Sequence, residues 1–283
     1  MAREVIASHH VAGITRPARP PRTGRHAPDE KDPMRILLVN VNTSDRVTRA
    51  LADEARSAAR PGTEIVALTP RFGPESVEGN FESYLSAVAV MDRVASYEGP
   101  YDAVVQAGFG EHGREGLQEL CPVPVVDITE AAAQLACLVG GEYAVVTSLR
   151  RTVPQIRARL RLAGLDTRCA SVRASGLPVL ELERDHGAAL RAIAAQAERA
   201  VEEDGADSIV LGCAGMAGLA EAVREAAGVP VVDGVAAGVA LAESLVGLGL
   251  STGRRGAYAP PLPKEITHWP LSAALDGAPA PHA

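Results

Sequence analysis

Residues 209–216 read IVLGCAGM: an apolar run, a glycine, Cys213, and more small residues. A structural cysteine packs as a small hydrophobe inside such a run, whereas this thiol stands just beyond it. A thiol placed there can serve as an acid/base, because a cysteine at a helix N-terminus is acidified by the helix dipole and the exposed amides. The helix-forming run that begins after Gly215 predicts that setting for Cys213. Gly212, Ala214 and Gly215 are small enough for backbone N–H groups to approach a carboxylate or enolate oxygen. Cys121, Cys137 and Cys169 lie far apart without CxxC or Cys/His ligand spacing, which argues against a structural zinc and a disulfide framework alike. No metal site is expected.

The elements that must hold Cys213 read as continuous apolar runs alternating with helical patterns from Arg35 onward. Strands are expected at residues 35–40, 63–68, 102–107, 123–128, 143–148, 207–212 and 229–234, and helices at 46–59, 82–97, 129–138, 153–163, 187–203, 219–226 and 236–248. Runs this apolar, each followed by a helix, indicate parallel strands covered on both faces. The fold class is therefore α/β and doubly wound, with ligands bound beyond the carboxyl ends of the strands.

An internal repeat sharpens this. DAVVQAGFG from Asp102 and DSIVLGCAG from Asp207 stand 105 residues apart, and VPVVD returns with Asp127 and Asp233, 106 apart. The first strand of each copy ends in NTS (42–44) or TS (147–148). Two pseudo-symmetric lobes, residues 34–140 and 141–258, should face each other with their strand mouths on one cleft and the last helix packed back on the first lobe. The repeat sets Cys213 opposite Gly108. Residues 1–33, rich in Arg, Pro and His without apolar periodicity, are expected to be a disordered extension, and 259–283 a C-terminal tail.

Composition removes several function classes. With 47% hydrophobic and 22% charged residues over 283 positions, the chain is an ordinary globular protein. A net charge of −7 and 3% aromatics leave neither phosphate neutralisation nor base stacking the residues it needs, so no nucleic acid is expected. No apolar segment approaches the ~20 residues of a membrane span, and no stretch near Met1 has the apolar centre of a signal peptide. A cytoplasmic location follows as the expectation.

NVNTS (40–44), FGPESVEG (72–79), AGFGEHG (107–113), PVVDITEAA (124–132), LGCAGM (211–216) and PVVDGVAA (230–237) together resemble the aspartate/glutamate/hydantoin racemase superfamily, most closely its hydantoin and allantoin racemase branch. The resemblance runs from about Met34 to Tyr258. It implies a two-lobed enzyme without cofactor, acting on a small molecule and expected as a homo-oligomer, whose two cysteines flank the substrate's acidic carbon. Cys213 matches the second cysteine. The chain departs at the first, where Cys-Phe-Gly-Asp becomes Gly108, Phe109, Gly110 and Glu111, and at NPNTS, where the proline is Val41. Asn42, Thr43 and Ser44, with Thr147 and Ser148 at the equivalent mouth, are implied to bind substrate, although a Ser or Thr there can equally cap the next helix. Gly108, Phe109 and Gly110 are placed in the same pocket. Glu78 and Glu130 read either as site residues or as capping or surface carboxylates.

Inverting a carbon next to a carbonyl needs a base on one face, a proton donor on the other, and stabilisation of the enolate between them. With one thiol gone, three readings stand: an isomerase in which His112, Glu111 or water serves the second face; a lyase, such as a decarboxylase, in which Cys213 protonates an enolate from one face, as arylmalonate decarboxylases of the same superfamily with one such cysteine resemble; and a catalytically silent binder of small molecules.

Overall fold

A computed structural model of the chain describes residues 33–182 and 184–262. Nearly all of the expected extension over 1–33, and most of the tail over 259–283, lie outside the described residues. The first lobe runs β1 (Met34–Asn40), α1 (Asp45–Ala58), β2 (Thr63–Leu68), α2 (Asn80–Ala95), β3 (Ala103–Ala107), α3 (Arg114–Leu120), β4 (Val125–Asp127) and α4 (Ile128–Val139). The second runs β5 (Tyr143–Thr147), α5 (Val153–Leu162), β6 (Cys169–Ala174), α6 (Val179–Leu182), α7 (His186–Asp204), β7 (Ser208–Leu211), α8 (Ala220–Ala227), β8 (Val231–Asp233) and α9 (Gly234–Gly247). Two four-stranded sheets result, ordered β2-β1-β3-β4 and β6-β5-β7-β8, with every pairing parallel. The two-lobed α/β class read from the repeat is what the structure shows.

Local sequence explains the elements. Helix α1 starts at the Ser44 cap, whose Oγ accepts from the Val47 N–H at 3.3 Å, and buries Val47, Leu51, Ala52 and Ala55 at helical spacing. The two VPVVD segments do identical work. Asp127 Oδ1 accepts from Thr129 and Glu130 at 2.8 and 3.0 Å, and Asp233 Oδ1 from Val235 and Ala236 at 2.8 and 2.9 Å, so each aspartate ends its strand and caps the following helix. β4 and β8 are consequently only three residues long, shorter than expected.

Three elements escaped the sequence reading. β6 is an edge strand with only Val172 buried, so it lacks the continuous apolar run of a strand covered on both faces. α3 buries only Leu117, and α6 spans a single turn, too little for periodicity to register.

The largest apolar cluster lies between the sheets. It joins Ile36 and Val105 of the first lobe to Val145 and Val210 of the second through Ile128, Ala131, Ala132 and Ala136 of α4 and Val235, Val239 and Ala242 of α9. α4 packs on β7 and α9 on β3 and α1, so each half's last helix serves the other half. The two helices meet where a Cβ at Gly234 would come 3.2 Å from Ile128 and a Cβ at Gly238 3.3 Å from Ile128 Cγ2, and Gly238 also lies against β3, its Cβ position 3.0 Å from Val105 Cγ1. Ile128 is buried in that crossing, and enclosing a side chain of this kind contributes about 1.5–3 kcal/mol.

Candidate active site

β7 delivers Cys213 through a glycine that nothing larger can replace. A Cβ on Gly212 would lie 2.4 Å from Val145 Cγ1 and 3.1 Å from the Val146 carbonyl, which accepts the Gly212 N–H at 2.8 Å. The Thr147 hydroxyl donates to the Gly212 carbonyl at 3.0 Å and lies 3.2 Å from Thr152 Oγ1. Thr147 thus holds the strand end from inside. Buried Ser148 lends its carbonyl to the Gly176 N–H and the Ser175 hydroxyl.

Cys213 is half-buried in extended backbone (φ −157°, ψ 135°), and its carbonyl accepts the Met216 N–H at 3.0 Å. The helix expected from residue 219 is present, but none starts at Cys213 itself. Cys213 begins a single 3-10 turn, Ala214–Met216; the chain then bends at Gly218 (φ +81°), and α8 starts only at Ala220. The glycine-rich sequence that makes the turn possible separates Cys213 from α8, so the backbone next to the thiol is that of one short turn and not of a helix. Gly215 faces α6, with its Cβ position 3.4 Å from the Val179 carbonyl.

On the opposite mouth, β3 ends at Ala107 beside Asn40, and Gly108 is buried. A Cβ on Gly108 would lie 2.3 Å from Val41 Cγ1 and 2.6 Å from His112 Cδ2. Val41 and Gly108, the two departures noted in sequence, therefore lie side by side, and Val41 with the His112 ring fills the space that a side chain at position 108 would need. Phe109 reaches across, its Cε1 3.4 Å from the Cβ position of Gly212. Gly110 adopts φ +124° and donates its N–H to Thr129 Oγ1 at 2.8 Å.

His112 is 3% exposed. Its Nδ1 lies 3.1 Å from Ser83 Oγ and its Nε2 3.4 Å from the Phe109 carbonyl. Burial pushes its pKa from 6.5 down to about 4; the Phe109 carbonyl and Asp127 act weakly the other way, and Arg159 adds to the depression. The ring is neutral at neutral pH. Glu111, in contrast, is tied down: one carboxylate oxygen accepts from the Gly113 N–H at 2.8 Å, the other from Arg159 Nη1 at 3.0 Å.

Arg159 is the residue that sequence reasoning missed. It extends from α5 of the second lobe, 2% exposed, onto four first-lobe carboxylates: Glu115 at 2.7 Å, Glu111 and Asp127 at 3.0 Å, and Glu130 at 3.3 Å. Burial pulls its pKa down, but Asp127, Glu115 and Glu111 outweigh that and leave it raised. Its signal was helical register, three residues after buried Ile156 and beside buried Leu160. Glu130, also paired with Arg114 at 2.6 Å, belongs to this cluster, its pKa raised first by burial. The second half lacks the arginine: the group facing Asp233 from α1 is Glu54, its carboxyl raised by burial and then by the Asp233 charge.

The remaining sequence candidates are held by hydrogen bonds within the protein. Asn42 Oδ1 accepts from Asn40 Nδ2 at 2.9 Å and the Ser44 N–H at 3.0 Å; Thr43 donates twice to the Pro74 carbonyl; Ser44 caps α1. Buried Asn40 organises the turn, its Oδ1 accepting from Val41 N and its Nδ2 donating to Thr48 Oγ1. Glu78 crosses between lobes to accept the Val179 N–H at 3.1 Å, a capping carboxylate. Cys121 and Cys169 have thiols pushed up by burial to about 11. Among the described residues no group of three or more His, Cys, Asp or Glu could hold a metal ion, and no helix is long and apolar enough to cross a membrane.

Comparison with known proteins identifies the arrangement. The Asp/Glu/hydantoin racemase family matches residues 36–242. The chain belongs to that family. A hydantoin racemase of Paenarthrobacter aurescens is 40% identical over 234 residues, 82% of this chain and 99% of that protein. An allantoin racemase from Pseudomonas fluorescens superimposes with a TM-score of 0.82 at 66% identity, covering 82% of this chain and 99% of the other. Arylmalonate decarboxylase, at 20% identity and a TM-score of 0.55, shares the fold alone. These family likenesses support a racemase-type enzyme.

Proposed function

We propose that the chain is a cofactor-independent isomerase that inverts the acidic α-carbon of a small hydantoin or ureide ring, with Cys213 transferring the proton on one face. The observation that carries the reading is the likeness to an allantoin racemase over nearly all of that protein, with Cys213 half-buried at the mouth of β7. His112 serves the other face. The α-C–H bond breaks toward His112 Nε2, the electron pair passes to the adjacent carbonyl as an enolate, and the Cys213 S–H delivers its proton to the opposite side of the carbon; the reverse transfers serve the other enantiomer. The Ala214 and Gly215 N–H groups, first in their turn and without an acceptor inside it, would receive the enolate oxygen. Glu111 acts as the tether of the turn through Arg159 rather than as an acid. A cytoplasmic homo-oligomer is the form proposed for this activity.

The test uses single enantiomers of allantoin and of a 5-substituted hydantoin in D2O, following optical rotation and α-deuterium. The wild type should invert and exchange; Cys213→Ala should lose roughly 10²–10⁴-fold of both, the contribution of a positioned proton-transfer group. Undiminished turnover in Cys213→Ala overturns the mechanism. The glycine at 108 favours one second reading, a one-thiol lyase, and CO2 release from a malonate panel without inversion of any hydantoin would favour it instead.

A further inference from the structure

Helix α2 sends two buried serines, one turn apart, toward the place where the family's first thiol is missing. Ser86 Oγ donates to the Val41 carbonyl. Ser83, 1% exposed, contacts both the Glu111 carbonyl and His112 Nδ1. A serine has a single hydroxyl proton, and a carbonyl can only accept. The proton of Ser83 therefore lies on the Glu111 carbonyl, and the serine oxygen faces His112 Nδ1 as an acceptor.

Resting on the isomerase reading above, we infer that Ser83 is a positioning residue: it holds His112 with its proton on Nδ1 and its lone pair on Nε2, facing the Gly108–Gly110 turn. The backbone that carries the ring is pinned as well, because Gln106 Nε2 donates to the His112 carbonyl. Its Cδ2–Nε2 edge covers both glycines, Cδ2 lying 2.6 Å from the Cβ position of Gly108 and Nε2 3.5 Å from that of Gly110. That edge fits only because neither residue has a side chain. The Phe109 carbonyl completes the device. At 3.4 Å it lies beyond the usual N–H···O range, so it does little to draw a proton onto Nε2 in the neutral ring, yet it is near enough to accept from Nε2–H once the ring has taken one. The charged groups that act on the ring, Asp127 and Arg159, do so in opposite directions. A neutral imidazole with a fixed tautomer thus takes the place of the thiol, and the serine behind it decides which nitrogen is basic.

The experiment is 15N NMR of the full chain labelled at histidine, at pH 7, with the His112 resonances identified by their loss in His112→Gln. The wild type should show Nδ1 protonated and Nε2 bare. Ser83→Ala should admit the Nε2–H form, and Ser83→Thr, which keeps the hydroxyl, should restore the original. With single-enantiomer allantoin as the probe, Ser83→Ala should lower kcat on the order of 10²-fold with KM unchanged, and Ser83→Thr should recover it. An Nε2–H ring in the wild type, or a tautomer indifferent to Ser83→Ala, overturns the inference. If the tautomers behave as stated while exchange proceeds without Cys213, the isomerase reading falls and the inference about the serine does not.

Discussion

His112 offers a measurement of stability that needs no substrate. Its pKa falls from 6.5 to about 4 on folding because the ring is buried, so the unfolded chain takes up a proton that the folded protein refuses. Stability from this residue is complete above about pH 6.5 and is lost as the pH falls toward 4. At 1.36 kcal/mol for each tenfold difference in proton affinity, the full loss is roughly 3 kcal/mol, of which about 2 kcal/mol is gone by pH 5. The raised carboxyls Glu54, Glu130 and Asp233 tilt the curve the other way, since the folded protein binds their protons more readily, so wild type alone cannot report the histidine. The comparison with His112→Gln can. Urea denaturation followed by far-ultraviolet circular dichroism at pH 7.5, 6, 5 and 4 should show the wild type losing roughly 3 kcal/mol more than the variant across the range. Packing differences between His and Gln shift the two curves by a constant and leave this slope untouched. Parallel curves would refute the claim that the ring is held neutral.

Gly108→Cys alone should melt at lower temperature than wild type, since its Cβ meets Val41 Cγ1 at 2.3 Å and overpacking costs about 1–3 kcal/mol; adding Val41→Ala should recover much of that, and a fully stable single variant would show that the space exists. Arg159→Met should cost about 3–5 kcal/mol at pH 7, the penalty of leaving buried charges uncompensated. Part of that should return near pH 5 as the abandoned carboxylates take up protons, so a loss below about 1 kcal/mol in urea denaturation would show that the cluster is superfluous.

The architecture was legible because it is written in continuous apolar runs and repeated. Strand positions followed from VPVVD and IVLG, and the pairing of Cys213 with Gly108 followed from the spacing of the repeat. The chemistry around Cys213 was less accessible. The 3-10 turn depends on how Ala214, Gly215 and Gly218 bend the chain, and small residues permit both a helix start and a turn. The link between Val41 and Gly108 spans two strands that pair only in space, so two separate departures in sequence turned out to be one change of packing. Arg159 could have been found from its place on the apolar stripe of α5, but its partners come from residues 111–130 of the other lobe, and nothing local announces them. Ser83 lies in a helix whose neighbours Phe81 and Tyr84 are exposed, so its inward direction became evident only from the fold.

The exchange of α4 and α9 between the sheets limits how the enzyme can move. In a protein of two self-contained lobes, the cleft could open like a book around a slack spine. Here the spine is closely packed, with Ile128 locked under Gly234 and Val105 under Gly238. Any wide opening would have to slide one helix over the other through contacts that leave no slack. Movement at the cleft is therefore expected at the rim, where the Glu78 carboxylate accepts the Val179 N–H across the lobes, and not along the spine.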